Sequence, residues 1–185
     1  MNDSIRVCVI GAGAAGLCVA RHFSQLPETF AVDIIEETAS IGDTWVTNLQ
    51  QHEVNAQYEY NSISKTLVIF FNFRTNLPKD IMAFPDFPFD PHLPSFLSHS
   101  DMLKYLQQYA DYFRLMPLIH FSTAVVHVKP KGTDRQQDPI GDELHPPTKL
   151  PKQTFTFNQW IITMQNLITR QSTTETYDAV VICNG

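Results

Sequence analysis

The spacing of apolar residues changes twice within the first part of the chain. Residues 5–10 (Ile-Arg-Val-Cys-Val-Ile) form a short β-rich apolar run, the pattern of a strand covered on both faces in a parallel sheet. Gly11-Ala-Gly-Ala-Ala-Gly16 follows at once. Leu17, Ala20, Arg21 and Phe23 then fall on a helical pattern that runs to about Gln25, ahead of Pro27. Residues 31–36 (Ala-Val-Asp-Ile-Ile-Glu) predict a second strand. The opening therefore reads strand, glycine-rich turn, helix, strand.

The middle is less regular. Pro78, Pro85, Pro88, Pro91 and Pro94 make residues 76–97 unsuitable for a helix or a central strand. The phenylalanines of Phe84-Pro-Asp-Phe-Pro-Phe89 point instead to an ordered, aromatic-anchored loop, since linkers seldom carry so many. A helix is predicted from about Ser100 to Arg114. Ser98 and Asp101 form a capping box, Met102, Leu103, Leu106, Tyr109, Ala110 and Phe113 its apolar face, and Met116-Pro117 its end. Residues 118–128 are strand-like. Residues 130–152 are polar and carry Pro130, Pro139, Pro146, Pro147 and Pro151, so a mobile excursion is expected there. Residues 155–163 and about 165–170 predict antiparallel strands, and Ala179–Cys183 a last, buried one. The fold class expected is α/β: a Rossmann-like domain with a parallel sheet, a βαβ N-terminus and a small antiparallel portion.

Composition narrows the classes. The chain has 185 residues, 43% hydrophobic and 17% charged, an ordinary globular balance for one domain or one and a fragment. The net charge is −6 and no basic run stands out, which argues against a nucleic-acid groove or an anionic membrane surface. Cys8, Cys18 and Cys183 are too far apart for a CxxC site and are expected to be small buried hydrophobes in a reducing compartment. The seven histidines lack metal-ligand spacing. No apolar stretch approaches the roughly 20 residues that span a bilayer. The N-terminus lacks the basic and small-residue features of a signal peptide. A chain ending on its most apolar strand is expected to be shorter than its natural length.

Gly11, Gly13 and Gly16 make the pattern G-x-G-x-x-G. The first glycine permits a tight turn, the second lets backbone approach a pyrophosphate, and the third lets the helix pack close to the strand. The helix N-terminus, with Ala14 and Ala15, offers N–H groups and a positive dipole end to phosphates. Glu36 lies about 20 residues beyond Gly16, where an acid accepts hydrogen bonds from an adenosine ribose and repels a 2′-phosphate. The site suits FAD or NAD, and the motif alone does not separate them.

Four further segments decide. Glu36 with Ile41-Gly42-Asp43-Thr44-Trp45, Arg74-Thr-Asn-Leu-Pro-Lys-Asp-Ile-Met82, Phe84-Pro-Asp-Phe-Pro-Phe89 and Tyr177-Asp-Ala-Val-Val-Ile-Cys-Asn-Gly185 together resemble the flavin-containing monooxygenases, over nearly the whole chain. Asp43 departs from the family's second glycine. Ser64-Lys-Thr-Leu-Val-Ile-Phe-Phe-Asn-Phe73 intervenes where the family joins residues like Ile63 and Arg74 almost directly. It reads as a gene-model or splicing insertion, or as a lineage-specific β-hairpin.

The resemblance implies that residues 1–185 are the N-terminal portion of an FAD-binding domain. The cofactor is then FAD, held by Gly11, Gly13, Ala14, Ala15, Gly16, Glu36, Gly42, Thr44 and Trp45. It implies a site for NADPH downstream, because the only triple-glycine fingerprint is 11–16. The implied reaction is oxygenation of a nucleophilic nitrogen or sulfur of a small amine or sulfide by O2 through a flavin C4a-hydroperoxide, of the N,N-dimethylaniline monooxygenase type. Asn76 then stands near the flavin as the catalytic candidate, its amide able to hydrogen-bond without titrating. Its alternative use is as a turn residue before Leu77-Pro78. Two other readings remain: a Baeyer–Villiger-type relative, and a truncated product that binds FAD or a partner without turnover. The location expected is cytoplasmic, or endoplasmic-reticulum associated through an anchor outside this chain.

Overall fold

The computed structural model of the chain describes residues 4–42, 45, 74–131 and 159–184. The predicted opening is present as β1 (Ile5–Ile10), α1 (Ala14–Ser24) and β2 (Phe30–Ile35). β2 is set one residue earlier than the pattern suggested, so Glu36 stands just past the strand. β1 is central. It pairs in parallel with β2 on one side and with β7 (Ala179–Ile182) on the other, and β3 (Ile119–His120) adds beyond β2.

The apolar run of β1 has the physical basis expected of it. Val7, Cys8 and Val9 are all fully buried, because both faces of the sheet are covered. Val7, Val9, Val32 and Ile34 face the helical layer, where Leu17 and Ala20 of α1 and Leu106 and Tyr109 of a second long helix complete the main core. Cys8 and Ile35 face the other way, onto Ile162, Met164 and Tyr177 of a second sheet. Burial pushes the Cys8 thiol up to about 12. The small side chain of Ala20 lets α1 lie close against β1.

The second sheet is antiparallel, β4 (Thr123–Pro130), β5 (Trp160–Asn166) and β6 (Ser172–Tyr177) in that order. Two boundaries differ from the sequence reading. The run 118–128 splits into β3 and β4, which belong to different sheets: Ser122, at φ 50, turns the chain out of the parallel sheet. The second hairpin strand is 172–177 rather than 165–170. The Asn166 Oδ1 accepts the N–H groups of Ile168 and Thr169 and closes a turn there, with Arg170 at φ 62.

A one-turn helix, α2 (Lys79–Met82), corrects the expectation that 76–97 is helix-free; Pro78 stands at its N-cap, so the prolines flank it and do not interrupt it. α3 (His99–Tyr112) carries the predicted capping box: Ser98 Oγ accepts the Asp101 N–H at 3.1 Å and the Asp101 carboxylate accepts the Ser98 N–H at 3.2 Å. It ends ahead of Met116-Pro117, where Arg114 adopts φ 55. Buried Tyr105 joins its predicted apolar face.

Cys18 and Cys183 are half-buried and only Cys8 is fully buried, which corrects the cysteine reading; all three thiols are free. Among the described residues no helix is long and apolar enough to cross a membrane, and no His, Cys, Asp and Glu cluster could hold a metal. The 64–73 segment, and the polar excursion from 132 onward, lie outside the described residues.

Candidate functional site

The predicted glycine motif sits at the C-terminal end of β1. Gly11 adopts φ +101, a region open to glycine, and its N–H donates to the Ile35 carbonyl at 2.8 Å. Gly13 stands at the N-cap of α1, and its carbonyl accepts the Leu17 N–H at 3.0 Å. No side chain caps this helix. Its first N–H groups, with Ala14 half-buried and Ala15 exposed beside them, keep their donor capacity and the positive end of the helix dipole.

The other two glycines have distinct steric reasons. A Cβ placed on Gly13 meets no atom within 4 Å, so the protein itself leaves that space open. A Cβ on Gly16 would overlap the Gly11 carbonyl oxygen and approach the Cys183 side chain to 3.5 Å. Gly16 is where the helix touches the turn, and Gly13 is where the turn faces outward.

Glu36 is brought to this turn. Its carboxylate is buried, and its Oε2 accepts the Ala12 N–H at 2.7 Å. The Ala12 carbonyl accepts the Gly42 N–H at 3.3 Å, and the Gly42 carbonyl accepts the Trp45 N–H at 2.9 Å. Gly42, at φ +105, lets the second turn fold back onto the first. The structure thus brings together Gly11, Gly13, Ala14, Ala15, Gly16, Glu36, Gly42 and Trp45, whose side chain packs on the main core. Thr44 and Asp43 lie outside the described residues. Sequence reasoning missed Ala12, which ties both turns together through its backbone. An alanine at a variable position carries no side-chain signal for such a role.

Asn76 is exposed, in the turn that leads to α2. Thr75, not Asn76, holds this turn: its hydroxyl donates to the Leu77 carbonyl at 2.8 Å and accepts the Leu97 N–H at 3.0 Å. The Asn76 side chain is left exposed at this turn, the place before Leu77-Pro78 that a turn residue takes.

The Phe84–Phe89 segment is scaffold. Phe89 stacks on Tyr105 with ring centroids 3.7 Å apart, and Phe84 lies against Tyr109 at 4.4 Å. The Tyr105 hydroxyl accepts the Phe84 N–H at 2.8 Å and donates to the Phe87 carbonyl at 2.6 Å. Asp86 pairs with Arg21 of α1, whose guanidinium lies 4.6 Å over the Phe113 ring. The loop is thereby clamped to the helix that carries the glycine turn.

Lys79 closes the loop from inside. It is 8% exposed, and its Nζ donates to the carbonyls of Asp90, Pro91 and Leu93 at 2.9, 2.9 and 2.6 Å. All three ammonium protons are used. Lys79→Met keeps the apolar stem but orphans three carbonyls, and a loss of about 3 kcal/mol is expected, the scale of charge-assisted bonds. Urea melts measure it, and limited proteolysis near residues 90–93 shows whether the loop opens first. An unchanged melt would refute this role.

A separate cleft of about 440 Å³ lies between the two sheets, lined by Arg6, Asp33, His120, Glu175 and Tyr177 among others. It includes none of the predicted site residues. Its polar groups pair internally, Arg6 with Glu175 at 2.5 Å and with Asp33 at 3.4 Å, and the His120 ring with Asp33 at 3.1 Å.

Comparison with known proteins places this geometry in context. The family model described as flavin-binding monooxygenase-like matches residues 4–138. The chain is 29% identical over 191 residues to flavin-containing monooxygenase FMO GS-OX5 of Arabidopsis thaliana, a match covering 99% of this chain and 36% of that protein. It is 30% identical over 194 residues to FMO GS-OX-like 4 of the same plant, covering 98% and 37%. Among solved structures it is similar to S-allyl-L-cysteine S-oxygenase from Allium sativum, with a TM-score of 0.67 at 24% identity over 99% of this chain and 37% of that one. The chain thus spans about a third of the length of these relatives.

Proposed function

The chain belongs to the flavin-binding monooxygenase-like family, and we propose that it is the FAD-holding N-terminal part of an NADPH-dependent monooxygenase acting on nucleophilic nitrogen or sulfur. The observation that carries this reading is the turn at 11–16. An uncapped helix N-terminus, open space over Gly13 and a Glu36 carboxylate fixed beside them fit a pyrophosphate and the ribose attached to it. FAD, when bound, supplies the redox and oxygen chemistry.

In this reading the chain's own residues bind and orient. Gly11, Gly13, Ala14, Ala15 and Gly16 offer backbone to the pyrophosphate, and Glu36 takes a ribose hydroxyl. Gly42 and Trp45 continue the wall along the cofactor, and Asn76 presents a neutral amide to its reactive end. The aromatic segment 84–89 is held by Tyr105 and, through Asp86, by Arg21 of the helix that carries the glycine turn. NADPH is assigned to a second fingerprint of the family's kind, since the single one here is committed to FAD. The Phe84–Phe89 signature favours amines and sulfides over the ketones of Baeyer–Villiger relatives.

Titrating the purified 185-residue chain with FAD tests the site. Saturable quenching of flavin fluorescence is expected, with flavin absorbance retained through desalting and displaced by ADP. Flavin lost entirely on desalting, with no quenching, would overturn the assignment. For the substrate class, a polypeptide extended through a second fingerprint is expected to oxidise NADPH faster with a tertiary amine or thioether. Stimulation by cyclic ketones alone would move the reading to a Baeyer–Villiger enzyme.

A further inference from the structure

Glu36 is held by more than its strand and Ala12. Its Oε1 accepts the Thr38 N–H at 2.8 Å and lies 2.7 Å from the Thr38 hydroxyl oxygen. A carboxylate oxygen offers about two acceptor sites. Oε1 is therefore filled by Thr38, while Oε2, with Ala12 as its one donor among the described residues, keeps one site. The Ser40 carbonyl lies 2.6 Å from the same hydroxyl and competes for its single proton. The charged acceptor makes the stronger bond. Thr38 is itself anchored, because its carbonyl accepts the Ser122 N–H at 2.9 Å, and the next N–H, of Thr123, donates to the Glu36 carbonyl at 2.9 Å. The chain leaving β3 thus braces the segment that leaves β2.

We propose that Thr38 is a positioning residue for ribose recognition: it locks the Glu36 carboxylate plane so that the remaining acceptor site on Oε2 meets a hydroxyl of the adenosine ribose. The inference rests on the FAD reading of the same turn. Without the Thr38 hydroxyl, Oε1 keeps one backbone donor in place of two, and the carboxylate plane is held less firmly against rotation. Ligand binding must then order it, a cost that preorganisation removes. Thr38 touches no ligand in this arrangement. It acts through Glu36, and its effect is confined to ligands that carry the ribose hydroxyls.

That confinement is the test. ADP carries the same adenosine ribose as FAD, and dideoxy-ADP lacks both hydroxyls. The 185-residue chain is expected to bind ADP about tenfold more tightly than dideoxy-ADP, the scale of one charge-assisted hydrogen bond. Thr38→Val, which keeps the shape and removes the hydroxyl, is expected to lower that ratio to about two, and Thr38→Ser to restore it. A merely structural residue would weaken both ligands together and leave the ratio unchanged, and that result overturns the proposal. A wild-type ratio near one overturns it too, since Glu36 then reads no ribose. A wild-type chain that binds neither FAD nor ADP would instead overturn the FAD reading, and this inference with it. If circular dichroism shows Thr38→Val unfolded, the same ratio measured on Thr38→Ala decides.

Discussion

Alanine at Gly16 is expected to destabilise the chain by about 3 kcal/mol, the upper range for an overpacked site. The sign is the opposite of the helical rule, by which alanine in place of glycine gains about 1 kcal/mol. The reason is what the new methyl meets. It would overlap the Gly11 carbonyl group, which is backbone, while Cys183 stands at ordinary contact distance. Gly11 cannot yield cheaply, because its N–H is bonded to Ile35 and a Cβ on Gly11 itself would stand 2.9 Å from the Cys183 carbonyl. Strand β1, the turn, helix α1 and the exit of β7 meet at this point. A melting temperature about 10 °C below wild type is the expected reading. A variant that melts at or above the wild-type temperature would show that the turn relaxes freely and that Gly16 is not the contact between helix and strand.

The sequence made the βαβ opening legible because its signals are local. An apolar run, three glycines and a helical stripe follow one another without reference to the rest of the chain. The boundaries of β1 and α1 and the capping box at Ser98 follow from neighbours a few residues away. What stayed hidden depends on partners far along the chain. Residues 118–128 look like one strand because apolar content does not record sheet membership. The break at Ser122 is set by hydrogen bonds to Glu36 and Thr38 across the fold. Leu167 and Ile168 read as strand, yet Ile168 is 79% exposed in a turn closed by the Asn166 side chain. At the site the same division holds. The glycines and Glu36 are written in the fingerprint, whereas Ala12, Thr38 and Lys79 act by backbone groups or by contacts their residue types do not announce.

Valine at Gly13 is expected to have the complementary effect, loss of FAD with the fold intact. Gly13 has φ −77 and ψ −173, an extended conformation that any residue adopts, and a Cβ there meets nothing within 4 Å. The protein alone therefore gives no reason for glycine at this position beyond its modest preference at a helix N-cap. The cost of valine is about 1 kcal/mol, and a melt lowered by a few degrees is expected. The open space over the uncapped helix end is where a pyrophosphate would approach the N–H groups of residues 14–16. A branched side chain fills that space and separates phosphate from donors. FAD affinity is expected to fall at least about a hundredfold, since several charge-assisted bonds of roughly 1.5–3 kcal/mol each are lost together. The flavin absorbance of purified wild type and variant, measured with their circular dichroism, reads both halves at once. A folded Gly13→Val chain that keeps its flavin would mean that the phosphates lie elsewhere. Set beside Gly16→Ala, the pair separates two uses of glycine three residues apart in one motif: at Gly16 the fold excludes the side chain, and at Gly13 only the ligand does.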